Sequence, residues 1–167
     1  MPPTLILIMG VAGSGKTTIG RRLAAVLGWT YYEADDFHSE ANKEKMSRGL
    51  PLDDADRAPW LAAIRATLDA ALAAKRPAVF TCSALKARYR DVLLGGLGGR
   101  VGLVHLTGDP ALLLSRLQGR AGHYMKPGML DSQLAILEPP ADALTLDVAA
   151  PPAALIASIR KHFGLET

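Results

Sequence analysis

The segment Gly10-Val11-Ala12-Gly13-Ser14-Gly15-Lys16-Thr17 limits what this chain can fold into more than any other stretch. It follows the apolar run Leu5–Met9 and precedes a segment that carries Ile19, Leu23, Val26 and Leu27 on a helical period. A G-x-x-x-x-G-K-[ST] loop between a strand and a helix turns its backbone N–H groups inward. The positive end of the helix then joins them around an anion. The glycines supply backbone angles that a Cβ would forbid. Lys16 is placed to reach the β- and γ-phosphates of a nucleotide, and Thr17 to offer a hydroxyl to Mg²⁺. Gly10, Val11, Ala12, Gly13, Ser14, Gly15, Lys16, Thr17 and the adjoining Thr18 are therefore read as nucleotide-binding, with Lys16 also catalytic. Average residue usage would produce these fixed positions by chance at a rate on the order of one in a hundred for a chain this long.

The rest of the chain alternates between short apolar runs and helical periods. Strands are predicted near 31–32, 79–82, 101–106 and 144–148. A polar helix is predicted over Glu40–Ser47, ended by Gly49. Trp60, Leu61, Ile64, Leu68 and Leu72 define one apolar helix face, with Lys75 and Arg76 near its negative end and Pro77 closing it. Further helices are read at 86–94, from the Asp109-Pro110 cap to Gln118, at 129–137, and after the prolines near 151. Strands alternating with helices imply an α/β fold with a parallel sheet of about five strands covered on both faces. The 167 residues suit one domain spanning 1–167. Residues 119–127 are rich in glycine and basic residues and read as a mobile loop within a lid spanning about 116–137.

Composition excludes several classes of function. The net charge of +3 is scattered along the chain, without the clustered basic stripe that nucleic acid demands. One cysteine, Cys82, rules out an internal disulfide framework and a multi-cysteine zinc site, and a reducing, cytoplasmic setting is expected. The apolar start is far shorter than the roughly 20 residues of a membrane span and has no basic flank, so no membrane partner is expected. Asn42-Lys43-Glu44-Lys45 begins like the base-reading motif of G proteins but ends in lysine, and no Asp-x-x-Gly occurs.

Glu33-Ala34-Asp35-Asp36-Phe37-His38 falls at the carboxyl end of the second strand, the edge that faces the ligand crevice of a parallel sheet. A carboxylate there can accept a hydroxyl proton and orient its oxygen for attack on a phosphorus. The third strand ends Thr81-Cys82-Ser83 with no acid, so Glu33 and Asp35 are the natural substitutes for a Walker B carboxylate. Arg116, Arg120, His123 and Lys126 suit a lid that closes over the moving phosphoryl group. Cys82 and Trp60 read as core, and His105 and His162 have no assigned role.

With these pieces placed, the chain resembles the gluconate kinases of the shikimate-kinase-like P-loop group. The resemblance includes Asp35-Asp36-Phe37-His38, Asn42 with Lys45-Met46, Gly49-Leu50-Pro51-Leu52, Asp56-Arg57 and Pro59-Trp60-Leu61. It continues through Cys82-Ser83-Ala84-Leu85-Lys86, Arg88-Tyr89-Arg90-Asp91, Arg120-Ala121-Gly122-His123-Tyr124-Met125, Ser132-Gln133 and Leu137-Glu138. It implies a three-layer α/β/α P-loop kinase fold with a mobile lid, an acceptor-binding segment at about 34–60, ATP and Mg²⁺, gluconate as acceptor, 6-phosphogluconate as product, and a homodimer. By the same resemblance Asp35 is the catalytic carboxylate, Glu33 joins Thr17 on the metal side, and Arg57 pairs with the acceptor carboxylate. His38, Lys45, Ser83, Lys86, Arg90 and His123 would line the acceptor pocket beside Asp35. Arg116 would serve the nucleotide, and Arg120 the transferred group. The chain departs from the family's usual Asp-Gly at Glu33-Ala34 and resembles it only loosely after Pro140. A related kinase for another small hydroxy acid or polyol, and a nucleotide-binding regulator without turnover, remain as alternatives.

Overall fold

A computed structural model describes residues 1–119 and 127–165. Strand β1 (Leu5–Met9) is the middle of a five-stranded parallel sheet, and all five of its residues are buried. An uninterrupted apolar run is what a strand covered on both faces requires. Its neighbours are β3 (Ala78–Thr81) and β4 (Val101–Thr107), and the edges are β2 (Thr30–Glu33) and β5 (Leu144–Asp147), giving the order β2-β3-β1-β4-β5. The register pairs Glu33 with Thr81 and Thr81 with Ile8, so the ends of the first three strands reach one edge together.

Side chains alternate between the two faces. Ile6, Ile8, Val79, Val104 and Leu106 pack with residues of α1 (Lys16–Leu27), α5 (Pro110–Gln118), α6 (Pro127–Ile136) and α7 (Pro152–Phe163). Leu5, Leu7, Met9, Phe80 and Leu103 pack with α3 (Asp54–Ala73) and α4 (Ala87–Leu94) on the other face. The three-layer fold expected from the alternating pattern is thus present. The polar helix α2 (Glu40–Ser47) stands outside these layers and is capped by Ser39 Oγ, which accepts from Asn42 N–H.

Most element ends fall within a residue or two of their predicted places. The exception is α3, which begins six residues before the first apolar position of its period at Trp60. Asp53 and Asp56 form a capping box there, and Pro59 is accommodated inside the helix. The first turn is polar and exposed, so it carries no apolar period from which its start could be read. The predicted loop at 119–127 lies almost wholly outside the described residues, as do Arg120, His123 and Lys126.

Helix α1 lies close against the sheet because Gly20 has no side chain. A Cβ there would stand 2.5 Å from Thr81 Cγ2 and 2.8 Å from Tyr31 Cε1. Alanine is the better helix former by about 1 kcal/mol, but overpacking of this kind costs roughly 1–3 kcal/mol. Gly20→Ala should therefore lower the urea midpoint. A raised midpoint would show that helix and sheet have room to separate.

Candidate active site

The phosphate loop leaves β1 at Met9 and enters α1 through Gly15, whose φ of 87° lies in the left-handed region. No side chain caps α1 at this residue, and a Cβ at Gly15 would meet nothing within 4 Å, so the helix start opens outward. Such an end presents its N–H groups to an anion. Lys16 Nζ arches back to donate to Val11 O at 3.2 Å. Thr18 is exposed on the outer side of the first turn. Ser14 is buried, and its Oγ has no hydrogen-bond partner among the described residues.

Because the strand ends are aligned, Glu33 reaches the start of α1. Thr17 Oγ1 donates toward its carboxylate at 3.0 and 3.2 Å, and Tyr31 Oη donates at 2.5 Å. Tyr31 Oη is also 2.8 Å from Thr81 Oγ1, so one chain of polar groups ties α1 to β2 and β3. Burial, followed by the Glu33 carboxylate, pushes the Tyr31 phenol up to about 12, which keeps it a hydrogen-bond donor. The Thr17 hydroxyl and Glu33 carboxylate are hard oxygen donors suited to a divalent cation that keeps several waters. The described residues contain no cluster of three or more acidic, histidine or cysteine side chains for a metal, so further oxygens would come from the nucleotide and water.

Asp35 sits on a single 3₁₀ turn, Ala34–Phe37, immediately after β2. Trp60 Nε1 donates to Ala34 O at 2.7 Å and so pins this turn to α3. The Asp35 carboxylate is open to water but recessed within the crevice. Burial raises its pKa, the Lys16 charge pulls it back, and Glu33 and Asp36 raise it further. Burial and the flanking acids thus raise its affinity for a proton, and the Lys16 charge opposes them.

His38 closes the same turn and stacks on Trp60, with centroids 4.2 Å apart and rings 11° from parallel. Its Nδ1 lies 3.2 Å from Asn42 Nδ2, which also donates to Asp56 O at 2.9 Å. An amide nitrogen can only donate, so Nδ1 accepts and the proton of the neutral ring is on Nε2. Burial, then the charges of Arg57 and Lys43, lower the His38 pKa to about 4.

The other residues expected on the acceptor side divide into two groups. Arg57 Nη1 donates to Tyr89 Oη at 3.1 Å, and Lys86 Nζ lies 5.8 Å from the Tyr89 ring centroid. Ser83 follows β3 at the same edge of the sheet. Lys45, by contrast, is engaged by Asp56 at 2.8 Å. Arg90, expected to line the acceptor pocket, is occupied by the backbone. It is buried, and its guanidinium donates to Ala84 O, Leu85 O and Glu138 O at 2.8, 3.1 and 2.7 Å. This holds the loop after β3, where Ala84 has a φ of 45°, a conformation with a cost for a residue bearing a Cβ. Arg90 thus shapes the loop that carries Ser83 and Lys86. Arg116 is exposed in the last turn of α5, and Arg120 and His123 lie outside the described residues.

Comparison with known proteins agrees with this geometry. Residues 5–140 match a family described as an AAA domain. The chain is 48% identical over 142 residues to the gluconokinase of Gluconobacter oxydans (strain 621H), covering 85% of this chain and 79% of that one. It is 45% identical over 154 residues to a probable gluconokinase of Mus musculus, covering 83% and 84%. The crystal structure of a gluconokinase from Sinorhizobium meliloti 1021 superposes with a TM-score of 0.83 at 40% identity, covering 98% of this chain and 91% of that one. The chain belongs to the gluconokinase family.

Within this gluconokinase-family site, sequence reasoning left two side chains without a role. Gln133 of α6 accepts the Ala12 N–H at 2.7 Å through Oε1, joining α6 to the phosphate loop. Tyr89 gathers the cations of Arg57, Lys86 and Arg88 around its ring. Both stand in blocks that resemble the family, but a neutral polar side chain and a buried ring carry no charge pattern to single them out.

The His38 arrangement has a spectroscopic consequence. Its ring should remain neutral and Nε2-protonated in a ¹⁵N NMR titration until the pH approaches about 4, below the ordinary 6.5. The unfolded chain takes up this proton first as pH falls, so His38's stabilising contribution is complete above about 6.5 and fades toward about 4. A midpoint near 6.5, identified by its loss in His38→Gln, would contradict the stacked, amide-bonded ring.

Proposed function

We propose that this chain transfers the γ-phosphoryl group of ATP to the 6-hydroxyl of D-gluconate, giving 6-phospho-D-gluconate and ADP. The observation that carries the reading is the position of Asp35. It follows β2 at the sheet edge where the phosphate loop begins, near enough for the Lys16 charge to act on it, and His38 ends the same turn within reach of the charge of Arg57 on α3. The gluconokinase names of the relatives support gluconate as the acceptor.

In this mechanism the loop N–H groups and Lys16 hold the β- and γ-phosphates. Thr17 and Glu33 would hold Mg²⁺, which when bound draws negative charge off the phosphate oxygens. The acceptor oxygen forms its bond to the γ-phosphorus as the bond to the β–γ bridging oxygen breaks. The hydroxyl proton passes to the Asp35 carboxylate, and ADP leaves with the bridging oxygen. The Nε2–H of neutral His38 can donate to an acceptor hydroxyl without competing for its proton. Arg57 offers a planar pair of donors to the acceptor carboxylate. Ser83, Lys86 and, from the lid, His123 complete the acceptor side, with Arg116 and Arg120 closing on the phosphates.

The proposal extends to a homodimer, on family resemblance, and to a cytoplasmic setting, which suits the buried thiol of Cys82. Among the described residues no helix is long and apolar enough to cross a membrane.

The test is ADP release with Mg-ATP, comparing gluconate with shikimate, glycerate, glucose and no acceptor, with product mass confirmed. Turnover should depend on gluconate. Asp35→Asn should reduce kcat by roughly 10²–10⁴-fold, the scale of a lost general base, with ATP affinity retained. Near-normal kcat in this variant would remove Asp35 from the proton-accepting role, and silence of the wild type with gluconate would overturn the acceptor.

A further inference from the structure

Tyr89 stands in the first turn of α4 with its ring in the core beneath the sheet, only 7% exposed, and its hydroxyl reaches the start of α3. That hydroxyl has two partners. Tyr89 Oη lies 3.1 Å from Asp54 Oδ1 and 3.1 Å from Arg57 Nη1. A phenol has one proton, a carboxylate only accepts and a guanidinium only donates. The direction is therefore fixed: Arg57 donates to Tyr89, and Tyr89 donates to Asp54. Asp54 is held ionised by this bond and by Arg88, whose Nη2 lies 2.7 Å from Asp54 Oδ2.

The Tyr89 ring also has three cations about it. The guanidinium carbons of Arg57 and Arg88 are each 5.4 Å from its centroid, and Lys86 Nζ is 5.8 Å away. Arg88 is neutralised by Asp54. Among the described residues Arg57 and Lys86 form no ion pair. The crevice therefore holds two cations on one rigid aromatic plate, beside a histidine whose proton affinity Arg57 already depresses. An acidic group on the ligand is what such a site lacks.

We propose that Tyr89 is a positioning residue that sets the Arg57 guanidinium for the acceptor's carboxylate and so makes the enzyme prefer sugar acids to neutral polyols. With Nη1 tied to the phenol and the guanidinium held over the ring, the edge formed by Nη2 and Nε is left for a two-point grip on a carboxylate. Without the hydroxyl, Arg57 regains side-chain freedom that must be lost again on binding. The inference deepens the function proposed above and rests on it.

Tyr89→Phe keeps the ring and the core but removes the relay. It should raise KM for gluconate roughly tenfold, the scale of one hydrogen bond to a charged group. KM for ATP and kcat should stay within about twofold. The preference for gluconate over D-glucitol, which has the same hydroxyl chain without the carboxylate, should fall by the same factor. In an Arg57→Ala background, Tyr89→Phe should add nothing. Asp54→Ala, at an exposed position, should raise KM for gluconate by a smaller factor and serves if Tyr89→Phe does not fold. An unchanged KM for gluconate, an equal rise in KM for ATP, or additive effects of Tyr89→Phe and Arg57→Ala would overturn the relay while leaving gluconate as acceptor. A wild-type enzyme that binds ATP but is silent with gluconate would overturn the proposed function itself, and the relay's carboxylate with it.

Discussion

The site depends on the burial of β1 between β3 and β4. A fully covered central strand fixes the register of its neighbours, and that register brings Met9, Thr81 and Glu33 to one edge of the sheet. The phosphate loop begins where the strand ends, so its inward N–H groups open on the edge where Glu33 emerges. The polar chain from Thr17 through Glu33 and Tyr31 to Thr81 follows from this alignment, since a one-residue slip in a parallel pair would turn Glu33 to the other face. Gly20 is part of the same constraint, because only a bare Cα lets α1 come this close to Tyr31 and Thr81.

The electrostatics divide the crevice by task. On the nucleotide side a lysine and a helix start gather negative charge. In the middle, Asp35 has its proton affinity raised by burial and by Glu33 and Asp36, while Lys16 opposes both. At the end of the turn, burial and then the Arg57 charge keep His38 neutral, and its tautomer is set by Asn42. The turn thus carries a carboxylate with raised proton affinity and an imidazole that stays neutral. Two loops that would otherwise wander are held from behind: the Asp35 turn by Trp60 on Ala34 O, and the Ser83 loop by Arg90 on three carbonyls.

Much of this was legible in the sequence because local chemistry decided it. The phosphate loop, the buried strands and the Asp109-Pro110 helix start each carry their signal within a few residues. The exposed first turn of α3 carried none in its apolar period, although the Asp53 and Asp56 capping pair marks it in retrospect. Arg90 shows a different limit. A basic residue in a motif reads alike whether it faces a ligand or a set of backbone carbonyls, and only the packing of the Glu138 segment against α4 distinguishes them. Gln133 lies 121 residues from the Ala12 N–H that it satisfies, and no local pattern predicts a contact of that span. The glutamate-alanine pair at 33–34, a departure from the resembling family, keeps the reach to Thr17 and places a buried alanine whose carbonyl serves Trp60.

Asp35 is proposed to take the proton of the acceptor hydroxyl while that oxygen attacks the transferred phosphoryl group in line. A crystal structure with Mg²⁺, ADP, a planar phosphoryl analogue and gluconate tests it most directly. The 6-hydroxyl oxygen should lie within hydrogen-bond distance of the Asp35 carboxylate and in line with the analogue and the ADP leaving oxygen, with the gluconate carboxylate on Arg57. A gluconate bound in the reverse direction, or an Asp35 carboxylate turned away from the hydroxyl, would contradict it.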